Sequence, residues 1–273
     1  MNKRWIIGIV SLLIIIIGGF FLLKGKNPSG EYTKMKSGSH GNPQQLYETA
    51  LSLEKNHEII KAKDILQDLM VNYSDYEAIE TVQKKLEDIN IEIIYSNSQS
   101  PKTVLYEIQS GDTLGKLAKK YGTTVELIKK KNNLNNNVIR LGQKIYIWSG
   151  SLNIFVDKSQ NILMLKDADQ IIKVYSVATG ANNITPVGTF KITSKLVDPV
   201  WFKAGAVIPP ESPQNVLGSR WMGFDLAGYG IHGTIEPDKM GQQVTAGCVR
   251  MRNEDVEQLY DLVPVGTSVT IVD

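Results

Sequence analysis

A chain of 273 residues is long enough for several small domains, and its composition excludes some functions. With 30 Lys and Arg against 28 Asp and Glu, the formal net charge is +2, which argues against a nucleic-acid-binding protein. The charge is unevenly placed. Residues 103–148 carry seven Lys and one Arg against three acidic residues, a net charge of +5, whereas residues 151–273 carry ten basic and thirteen acidic side chains, a net charge of −3. We predict a basic module that holds an anionic partner beside an acidic module with a different role.

The N-terminus contains a long uncharged segment. Trp5 to Leu23 holds nineteen residues without a charge. A helix of that length spans about 28 Å, close to the hydrocarbon thickness of a bilayer. The stretch that follows, KGKNPSG, has no A-x-A cleavage pattern, which argues against a removed signal peptide. We therefore predict a transmembrane signal anchor over residues 1–24 and a flexible Gly-, Ser- and Lys-rich linker over residues 25–42.

Residues 43–96 carry apolar residues at helical spacing. The stripes are Leu46, Ala50 and Leu53; Ala62, Ile65, Leu66 and Leu69; and Ile79, Val82, Leu86 and Ile89. They predict three helices with breaks near Asn56 and at residues 73–75, and the first two resemble one tetratricopeptide (TPR)-like hairpin. A helical spacer is favoured over a partner-binding groove, because amphipathic stripes most often face a core. A protein partner at this region is the alternative.

Residues 103–148 predict a βααβ unit. A strand at YEIQ is followed by a turn at residues 110–112, two short helices and a closing strand at LGQKIYI. The stretches GDTLGKLAKKYGTTVELIKKKNNL and IRLGQKIYI resemble the LysM domain in order and spacing, and the resemblance covers the whole unit. It implies an α+β fold that binds glycans containing N-acetylglucosamine.

In that family the sugar lies between the loop after the first strand and the loop before the last. The resemblance therefore implies glycan-binding residues at Gly111, Asp112 and Thr113 on one side and at Leu134 and Ile139 on the other. Backbone groups of a tight glycine turn can meet sugar hydroxyls, and the two apolar side chains can contact sugar ring faces. The alternative is a LysM unit kept only for packing.

The pattern becomes β-rich over residues 151–273. Four short alternating or β-branched runs, separated by turn-rich stretches, predict an antiparallel β domain: LNIFVD, NILMLK, IIKVYSV and GTFKIT. One amphipathic helix, NEDVEQLYDLV, interrupts them late in the chain, with Asn253 as its expected N-cap. The run SVTIV supplies a closing strand. Because only two or three residues link this domain to the preceding unit, we expect a limited range of relative orientations.

The only cysteine, Cys248, follows His232 by sixteen positions. A single cysteine cannot form an intramolecular disulfide, so its thiol is either inert or reactive. A cysteine nucleophile needs a base and backbone donors for the oxyanion that forms on the attacked carbonyl. Gly247 lets backbone amides approach a substrate, and Arg250 can pair with a carboxylate or hold the turn. These residues alone predict only acyl transfer to a thiol.

Four ordered motifs make the prediction specific: TPVGTFKI, NVLGSRWMGF, GYGIHGT and TAGCVRM. In order and spacing they resemble the L,D-transpeptidase catalytic domain, the YkuD-like family, over residues 151–272. The resemblance implies an extracytoplasmic, mainly-β enzyme of peptidoglycan, and thus a multidomain chain with a catalytic domain at residues 151–273. Its expected partners are peptidoglycan stem peptides and glycan strands. The expected location is the cell membrane, single-pass, with the domains facing the cell wall or periplasm, and the expected role is in cell wall biogenesis and cell shape.

The resemblance also implies the role of each motif residue. Cys248 would be the nucleophile, His232 its base, and the Gly233 carbonyl would orient the imidazole. The amides of Gly247 and Cys248 would form the oxyanion hole, and Arg250 would support the site or bind a substrate carboxylate. The thiol would attack the bond before the terminal D-alanine of a stem tetrapeptide, and the thioester would pass to a side-chain amine of another stem. Neither a metal nor an organic cofactor is implied.

One departure from the family pattern concerns the cysteine motif. The family usually has Ser-His-Gly-Cys, whereas this chain has Thr245-Ala246-Gly247-Cys248, so the hydroxyl is kept at Thr245 and the motif histidine is lost. Two other functions stay open. Water could take the acyl group, giving an L,D-carboxypeptidase, or the chain could be a non-catalytic cell-wall-binding protein. The enzyme requires an accessible Cys248 of lowered pKa near His232 that reacts readily with thiol reagents, whereas the non-catalytic protein would have an inert thiol.

Overall fold

The computed structural model describes residues 41–97, 100–203 and 205–273, and the chain divides into two compact units at Ile93. The predicted membrane span and most of the predicted linker lie outside the described residues. Among the helices that are described, none is both long and apolar enough to cross a bilayer. The signal anchor therefore stays a prediction.

The first unit is helical, as the apolar stripes predict. Its helices are α1 (Pro43–Lys55), α2 (Ile59–Asn72) and α3 (Ile79–Tyr95), the last of which runs across the division at Ile93. Asn42 caps α1, since its side-chain oxygen accepts a hydrogen bond from the backbone N–H of Gln44. The fully buried side chains of α2 recur at helical spacing, which places one face of the helix in the core of this unit: Ala62, Leu66 and Leu69.

The second unit begins with the predicted βααβ order, which we call the LysM-like unit (residues 103–148). Its elements are β1 (Thr103–Glu107), α4 (Leu114–Tyr121), α5 (Val125–Lys131) and β2 (Lys144–Trp148). The two strands pair antiparallel. Threonine hydroxyls cap both helices, because Thr113 accepts from Lys116 and Thr124 accepts from Leu127. The core of the unit is formed by Ile108, Leu114, Leu117, Ala118, Ile128, Ile145 and Ile147.

The β-rich domain (residues 151–273) is built on one eight-stranded sheet. Its strands are β3 (Leu152–Asp157), β4 (Ile162–Asp167), β5 (Gln170–Ser176), β7 (Gly188–Val197), β10 (Arg220–Phe224), β11 (Gly230–His232), β13 (Val249–Arg250) and β14 (Ser268–Val272), in the spatial order β13-β11-β10-β7-β14-β3-β4-β5. Outside this sheet, β6 (Thr179–Gly180) pairs with β12 (Gln243–Thr245), and β8 (Trp201–Lys203) pairs with β9 (Ala206–Ile208).

The sheet differs from the sequence prediction in the relative direction of its strands. An antiparallel domain is expected, but β11 pairs parallel with β13, β14 pairs parallel with β3, and β12 pairs parallel with β6. Apolar alternation shows which residues share a face of a strand, and it carries no information about the direction of the neighbouring strand. The chain crosses from β13 to β14 through the helix α6 (Asn253–Leu262), whose side chains Val256, Leu259 and Leu262 are fully buried.

The LysM-like unit and the β-rich domain are in direct contact within the second unit. The Thr124 hydroxyl, at the start of α5, donates a hydrogen bond to the carbonyl of Asp261 near the end of α6. The ammonium group of Lys130 forms an ion pair with the side chain of Asp261. Lys102 also pairs with Asp167 at the end of β4. The contacts of Thr124 and Lys130 lie at the C-terminal end of α6, and that of Lys102 lies at the end of β4.

Candidate active site

The two residues expected to do the chemistry lie on neighbouring strands. His232 is the last residue of β11, and Cys248 immediately precedes β13. In the parallel register His232 lies opposite Arg250, while Ile231 lies opposite Val249. Because opposite residues of paired strands share a face, His232 and Arg250 point to the same face of the sheet, and the charge of Arg250 also acts on the thiol of Cys248, one residue before β13. The fold thus gathers at one edge three side chains that are separated by up to eighteen positions in the sequence.

His232 is held by a backbone carbonyl. Its side chain is buried, and Nδ1 lies 2.7 Å from the carbonyl oxygen of Gly233. Since a carbonyl oxygen can only accept, Nδ1 carries the proton of the neutral imidazole and Nε2 keeps its lone pair. The indole of Trp221, directly opposite on β10, stacks against the ring with centroids 6.0 Å apart. This arrangement leaves Nε2 as the nitrogen that can take a proton.

Burial keeps His232 neutral at physiological pH. Loss of hydration lowers its pKa from 6.5 to about 4, because the charged imidazolium is disfavoured in this site. The backbone groups of Gly233 and Leu217 act in the opposite direction by hydrogen bonding, and the positive charge of Arg250 adds to the lowering. The imidazole is therefore unprotonated and able to act as a base at pH 7.

The pKa of Cys248 differs from the value expected from the sequence. Its pKa is raised above the usual value of 9.0, mainly because burial disfavours the thiolate. A backbone hydrogen bond from Gly230 and the charge of Arg250 oppose this effect without overcoming it. The partly buried thiol lies 3.6 Å from the carbonyl oxygen of Gly228. The expected lowering of the pKa is thus wrong for this structure, and the site holds a neutral thiol beside a neutral imidazole.

The turn before Cys248 is closed by Thr245. The backbone N–H of Gly247 donates to the Thr245 hydroxyl oxygen at 3.2 Å, and that hydroxyl donates to the Cys248 carbonyl at 2.7 Å. The Gly247 amide, expected to be one oxyanion donor, is therefore already used inside the turn. The amide of Cys248 donates to no acceptor among the described residues, and it remains a donor for a substrate. Thr245 organises the turn, whereas Ala246 is exposed where the family usually has histidine.

Gly247 needs to be a glycine for two reasons. Its φ of +117° is a conformation that side-chain-bearing L-residues rarely adopt. A Cβ at this position would also lie 2.7 Å from the ring of Tyr229. The phenol ring of Tyr229 and the cysteine turn are thus packed directly against each other.

Arg250 has an internal carboxylate partner. Its guanidinium lies 2.9 Å from Glu236, and the two side chains are 9% and 48% exposed. The backbone of Arg250 pairs in both directions with Ala178, which holds β13 to the turn before β6. The position of Arg250 next to His232 and Cys248 agrees with a supporting role. A substrate carboxylate would have to compete with Glu236 for the Arg250 guanidinium.

Asn253 does not have the role expected of it. It lies inside α6 as the first helical residue, and the N-cap position is taken by Arg252, which makes no capping hydrogen bond. The side-chain oxygen of Asn253 instead accepts from the backbone N–H groups of Ser219 and Thr234. A polar side chain at a helix start is ambiguous in sequence, because the same residue types also bind distant backbone.

The expected glycan-binding residues lie around the core of the LysM-like unit. Gly111 has φ +82° and Thr113 caps α4, while the Asp112 carboxylate accepts from the Gln109 backbone and the Tyr106 hydroxyl. These hydrogen bonds lower the pKa of Asp112. The side chains of Leu134 and Ile139 are partly buried and pack against the same apolar core, so both predicted loops belong to one compact unit.

Leu134 also lines an open cleft between the LysM-like unit and the β-rich domain. The cleft has a volume of about 410 Å³, and its other lining residues are Glu126, Lys129, Lys130, Asn133, Asn135 and Asp261. This cleft lies where α5 meets the end of α6. Cys248 lies next to β13 and is not among the residues that line the cleft. The structure thus brings the catalytic candidates together in one place and the glycan-binding candidates in another.

Sequence reasoning gives no role to several residues that shape the site. Trp221 stacks on His232, Tyr229 covers Gly247, and the backbone of Leu217 contacts the imidazole. Trp221 and Leu217 lie within NVLGSRWMGF and Tyr229 within GYGIHGT, so the motifs contain them. Their functions depend on cross-strand neighbours, and these are not visible in the sequence.

The chain is similar to known proteins over both of its predicted modules. Residues 152–271 match the family model of the YkuD L,D-transpeptidase catalytic domain, and residues 106–148 match the LysM domain. The chain is 42% identical over 130 residues to YqjB of Bacillus subtilis, which is named as an L,D-transpeptidase, covering 45% of this chain and 73% of YqjB. It is 32% identical over 177 residues to YkuD of Bacillus licheniformis, named likewise, covering 62% of this chain and 98% of that protein.

Among solved structures, the crystal structure of an L,D-transpeptidase from Mycobacterium tuberculosis H37Rv resembles this chain. The likeness covers 49% of this chain and 63% of that chain, with 18% sequence identity and a TM-score of 0.40.

Proposed function

Since the chain belongs to the L,D-transpeptidase (YkuD) family of cysteine-dependent acyltransferases and its LysM domain precedes the catalytic domain, we propose that it cross-links peptidoglycan stem peptides through a thioester on Cys248. The observation that carries this proposal is that the thiol of Cys248 contacts the backbone of Gly228 and Gly230, just before and at the start of β11, the strand that ends at His232, while Nδ1 of His232 is held by Gly233. The other nitrogen of the neutral imidazole is then the one that can accept the thiol proton.

The first half-reaction forms the thioester. Sγ of Cys248 attacks the carbonyl carbon of the third residue of a stem tetrapeptide, while Nε2 of His232 takes the thiol proton. The C–N bond to the terminal D-alanine breaks, and the imidazolium returns the proton to the leaving amine. Because both groups are neutral at rest, proton transfer accompanies attack, and no thiolate has to be stored in the free enzyme.

The second half-reaction transfers the acyl group. The side-chain amine of another stem attacks the thioester, loses a proton to His232, and the C–S bond breaks to regenerate the thiol. The N–H of Cys248 stabilises the oxyanion in both steps, since among the described residues it has no internal acceptor. Arg250 adds a positive charge beside this developing negative charge.

The LysM domain supplies glycan binding in this proposal. Its net charge of +5 attracts anionic wall polymers, and the loops around Gly111 and Leu134 offer backbone groups and apolar contacts to a sugar chain. The N-terminal apolar segment would anchor the protein in the cell membrane, with the remaining domains facing the cell wall or periplasm. The enzyme would then act on strands near the membrane surface.

Hydrolysis is the second candidate outcome. Cys248 is partly exposed, so water reaches the site where an amine would attack, and the thioester would then yield a tripeptide. This L,D-carboxypeptidase activity shares every residue of the first half-reaction. The two activities differ only in the acceptor. A non-catalytic wall-binding protein is the third candidate, and it requires an unreactive Cys248.

The decisive experiment incubates the full chain with disaccharide tetrapeptide muropeptides and follows the products and the intact protein by mass spectrometry. Release of D-alanine with a dimeric muropeptide supports the transpeptidase, and release of D-alanine with tripeptide alone supports the carboxypeptidase. Cys248→Ala is the control, and it must abolish both the acyl adduct and D-alanine release. If the native chain leaves the muropeptides unchanged but still sediments with insoluble peptidoglycan, only the wall-binding function remains.

A further inference from the structure

The side-chain oxygen of Asn253 joins two loops that flank His232. It accepts a hydrogen bond from the backbone N–H of Thr234 at 3.0 Å and a second one from the backbone N–H of Ser219 at 3.2 Å. Asn253 is the first residue of α6, so the oxygen projects from the start of a helix. Both bonds leave the helix, and neither satisfies the orphan N–H groups of its first turn.

The bond to Thr234 fixes the peptide group that orients the imidazole. The N–H of Thr234 and the C=O of Gly233 belong to one planar peptide group and point in opposite directions. The C=O end binds Nδ1 of His232 at 2.7 Å, and the N–H end binds Asn253. Rotation of this peptide would break both hydrogen bonds. Asn253 therefore controls the direction of the carbonyl that selects the tautomer of His232.

The bond to Ser219 holds the other backbone contact of the imidazole. Besides Gly233, the backbone of Leu217 lies close enough to the imidazole to act on the pKa of His232, and Leu217 is only two residues before Ser219, whose N–H donates to Asn253. Both backbone contacts of the ring thus belong to segments tied to the same oxygen atom. A single side chain fixes His232 from two directions.

Two glycines make room for this oxygen. A Cβ on Gly233 would lie 2.2 Å from Oδ1 of Asn253, and a Cβ on Gly218, where φ is +63°, would lie 2.3 Å from it. Any side chain at either position would displace Asn253. The oxygen is also rigidly placed, because α6 is anchored by the fully buried side chains of Val256, Leu259 and Leu262.

We propose that Asn253 is a positioning residue of the acyl transfer: its side-chain oxygen holds the Gly233–Thr234 peptide and the loop before β10 so that His232 keeps its proton on Nδ1 and presents Nε2 to Cys248. This inference rests on the proposed function. Asn253 touches neither the reacting atoms nor the substrate, and it acts through the backbone that orients the base.

The test compares Asn253→Ala with Asn253→Asp and Asn132→Ala in the full chain. Asn132 is the matched control, because its side-chain oxygen also accepts a backbone N–H, that of Tyr146, but within the LysM domain. We expect Asn253→Ala to lower kcat for D-alanine release about 10-fold to 100-fold, the usual cost of a misplaced catalytic group, with KM within about two-fold. Asn253→Asp keeps the acceptor and should retain most of kcat. Asn132→Ala should lower Tm and leave kcat unchanged.

Nitrogen NMR of ¹⁵N-histidine-labelled protein gives a readout that a general loss of stability would not move. The native chain and Asn253→Asp should show His232 with the proton on Nδ1, and Asn253→Ala should show a mixture of both tautomers. An Nδ1–H tautomer and kcat unchanged in Asn253→Ala would overturn the inference. If Asn253→Ala does not fold, Asn253→Asp provides the test. Its carboxylate should raise the pKa of His232, and an unchanged pKa of His232 would contradict the placement of residue 253 beside the backbone that holds the imidazole. Failure of the native chain to release D-alanine would instead reject the proposed function, and the tautomer measurement would still test Asn253.

Discussion

Arg250 and Glu236 form an ion pair at 2.9 Å beside the two residues proposed to do the chemistry. The positive charge of Arg250 lowers the pKa of both His232 and Cys248. Glu236 offsets part of that charge. The pair therefore modulates the two pKa values, which burial chiefly determines.

Replacing Glu236 by Gln should make the thiol more reactive. With its partner neutral, the charge of Arg250 acts more fully on the site, so the pKa of Cys248 falls and alkylation by iodoacetamide at pH 7 becomes faster. Because Glu236 is half exposed, solvent screens its charge and the pair should contribute below about 1 kcal/mol, so we expect an increase of less than about five-fold. Asp238→Asn removes the same charge from the same loop without contacting Arg250, and it should leave the alkylation rate unchanged. Equal rates for the native chain and Glu236→Gln would contradict this coupling.

The pH dependence of acylation should follow the imidazole. Because the pKa of His232 is lowered to about 4, the base is available throughout the neutral range, and the rate constant for thioester formation should fall only as pH approaches 4. The ultraviolet absorbance of a thiolate should be absent at pH 7 and appear above pH 9, since burial raises the pKa of Cys248. An acid limb near pH 6.5, or a thiolate band at pH 7, would contradict the neutral pair.

The same burial makes the folded state sensitive to acid. Between pH 6.5 and about 4, His232 is protonated in the unfolded chain and neutral in the folded one, so the unfolded state binds more protons and stability falls as pH falls. The shift corresponds to about 3 kcal/mol at most. Denaturant unfolding at pH 7 and pH 4.5 measures this loss, and His232→Gln should show a smaller one. Other titrating groups are common to both proteins, so equal losses would mean that His232 is not the cause.

Much of this architecture is predictable from the sequence, because it depends on local periodicity. The runs LNIFVD, NILMLK, IIKVYSV, GTFKIT and SVTIV agree with the observed strands β3, β4, β5, β7 and β14, as does the βααβ order of the LysM domain. The short strands β10, β11 and β13 are not predicted. β11 and β13 hold three and two residues, too few to show alternation, and β10 carries a glycine among its five residues, RWMGF, which weakens a strand signal.

Some properties of the site can likewise be predicted from the sequence, and others cannot. Cys248, His232 and Gly233 can be predicted as site residues because their residue types and motif positions suit the chemistry, and these roles stay predictions. The raised pKa of Cys248 is not, since it depends on how much water the fold removes from the thiol. The Gly247 amide illustrates a further limit: its hydrogen bond to Thr245 is a property of the folded turn, and no spacing in the sequence distinguishes a free amide from a used one.

Gly247→Ala should slow acylation by distorting the turn that carries the proposed nucleophile, Cys248. The added Cβ would lie 2.7 Å from the Tyr229 ring, and φ of +117° is strained for alanine, so we expect about 1 to 3 kcal/mol of destabilisation and about 100-fold slower acylation. Gly241→Ala is the matched control. It has φ +82° in the same region, but its Cβ would have no atom closer than 3.9 Å. Similar acylation rates for the two variants would show that the Tyr229 contact does not shape the cysteine turn.

Contacts at the end of α6 should hold the LysM domain against the catalytic domain. Lys130 pairs with Asp261 there, while the neighbouring Lys129 lines the same cleft and forms no ion pair among the described residues. Lys130→Ala should therefore speed hydrogen exchange in the segment around residues 258–263, and Lys129→Ala should not. The cost in stability should stay below about 1 kcal/mol, because Lys130 is half exposed. Asn253 lies at the opposite, N-terminal end of α6. Faster hydrogen exchange confined to the C-terminal end of this helix should therefore leave D-alanine release from soluble muropeptides unchanged. Equal exchange in both lysine variants would mean that the hydrogen bond from Thr124, rather than the ion pair, maintains the docking.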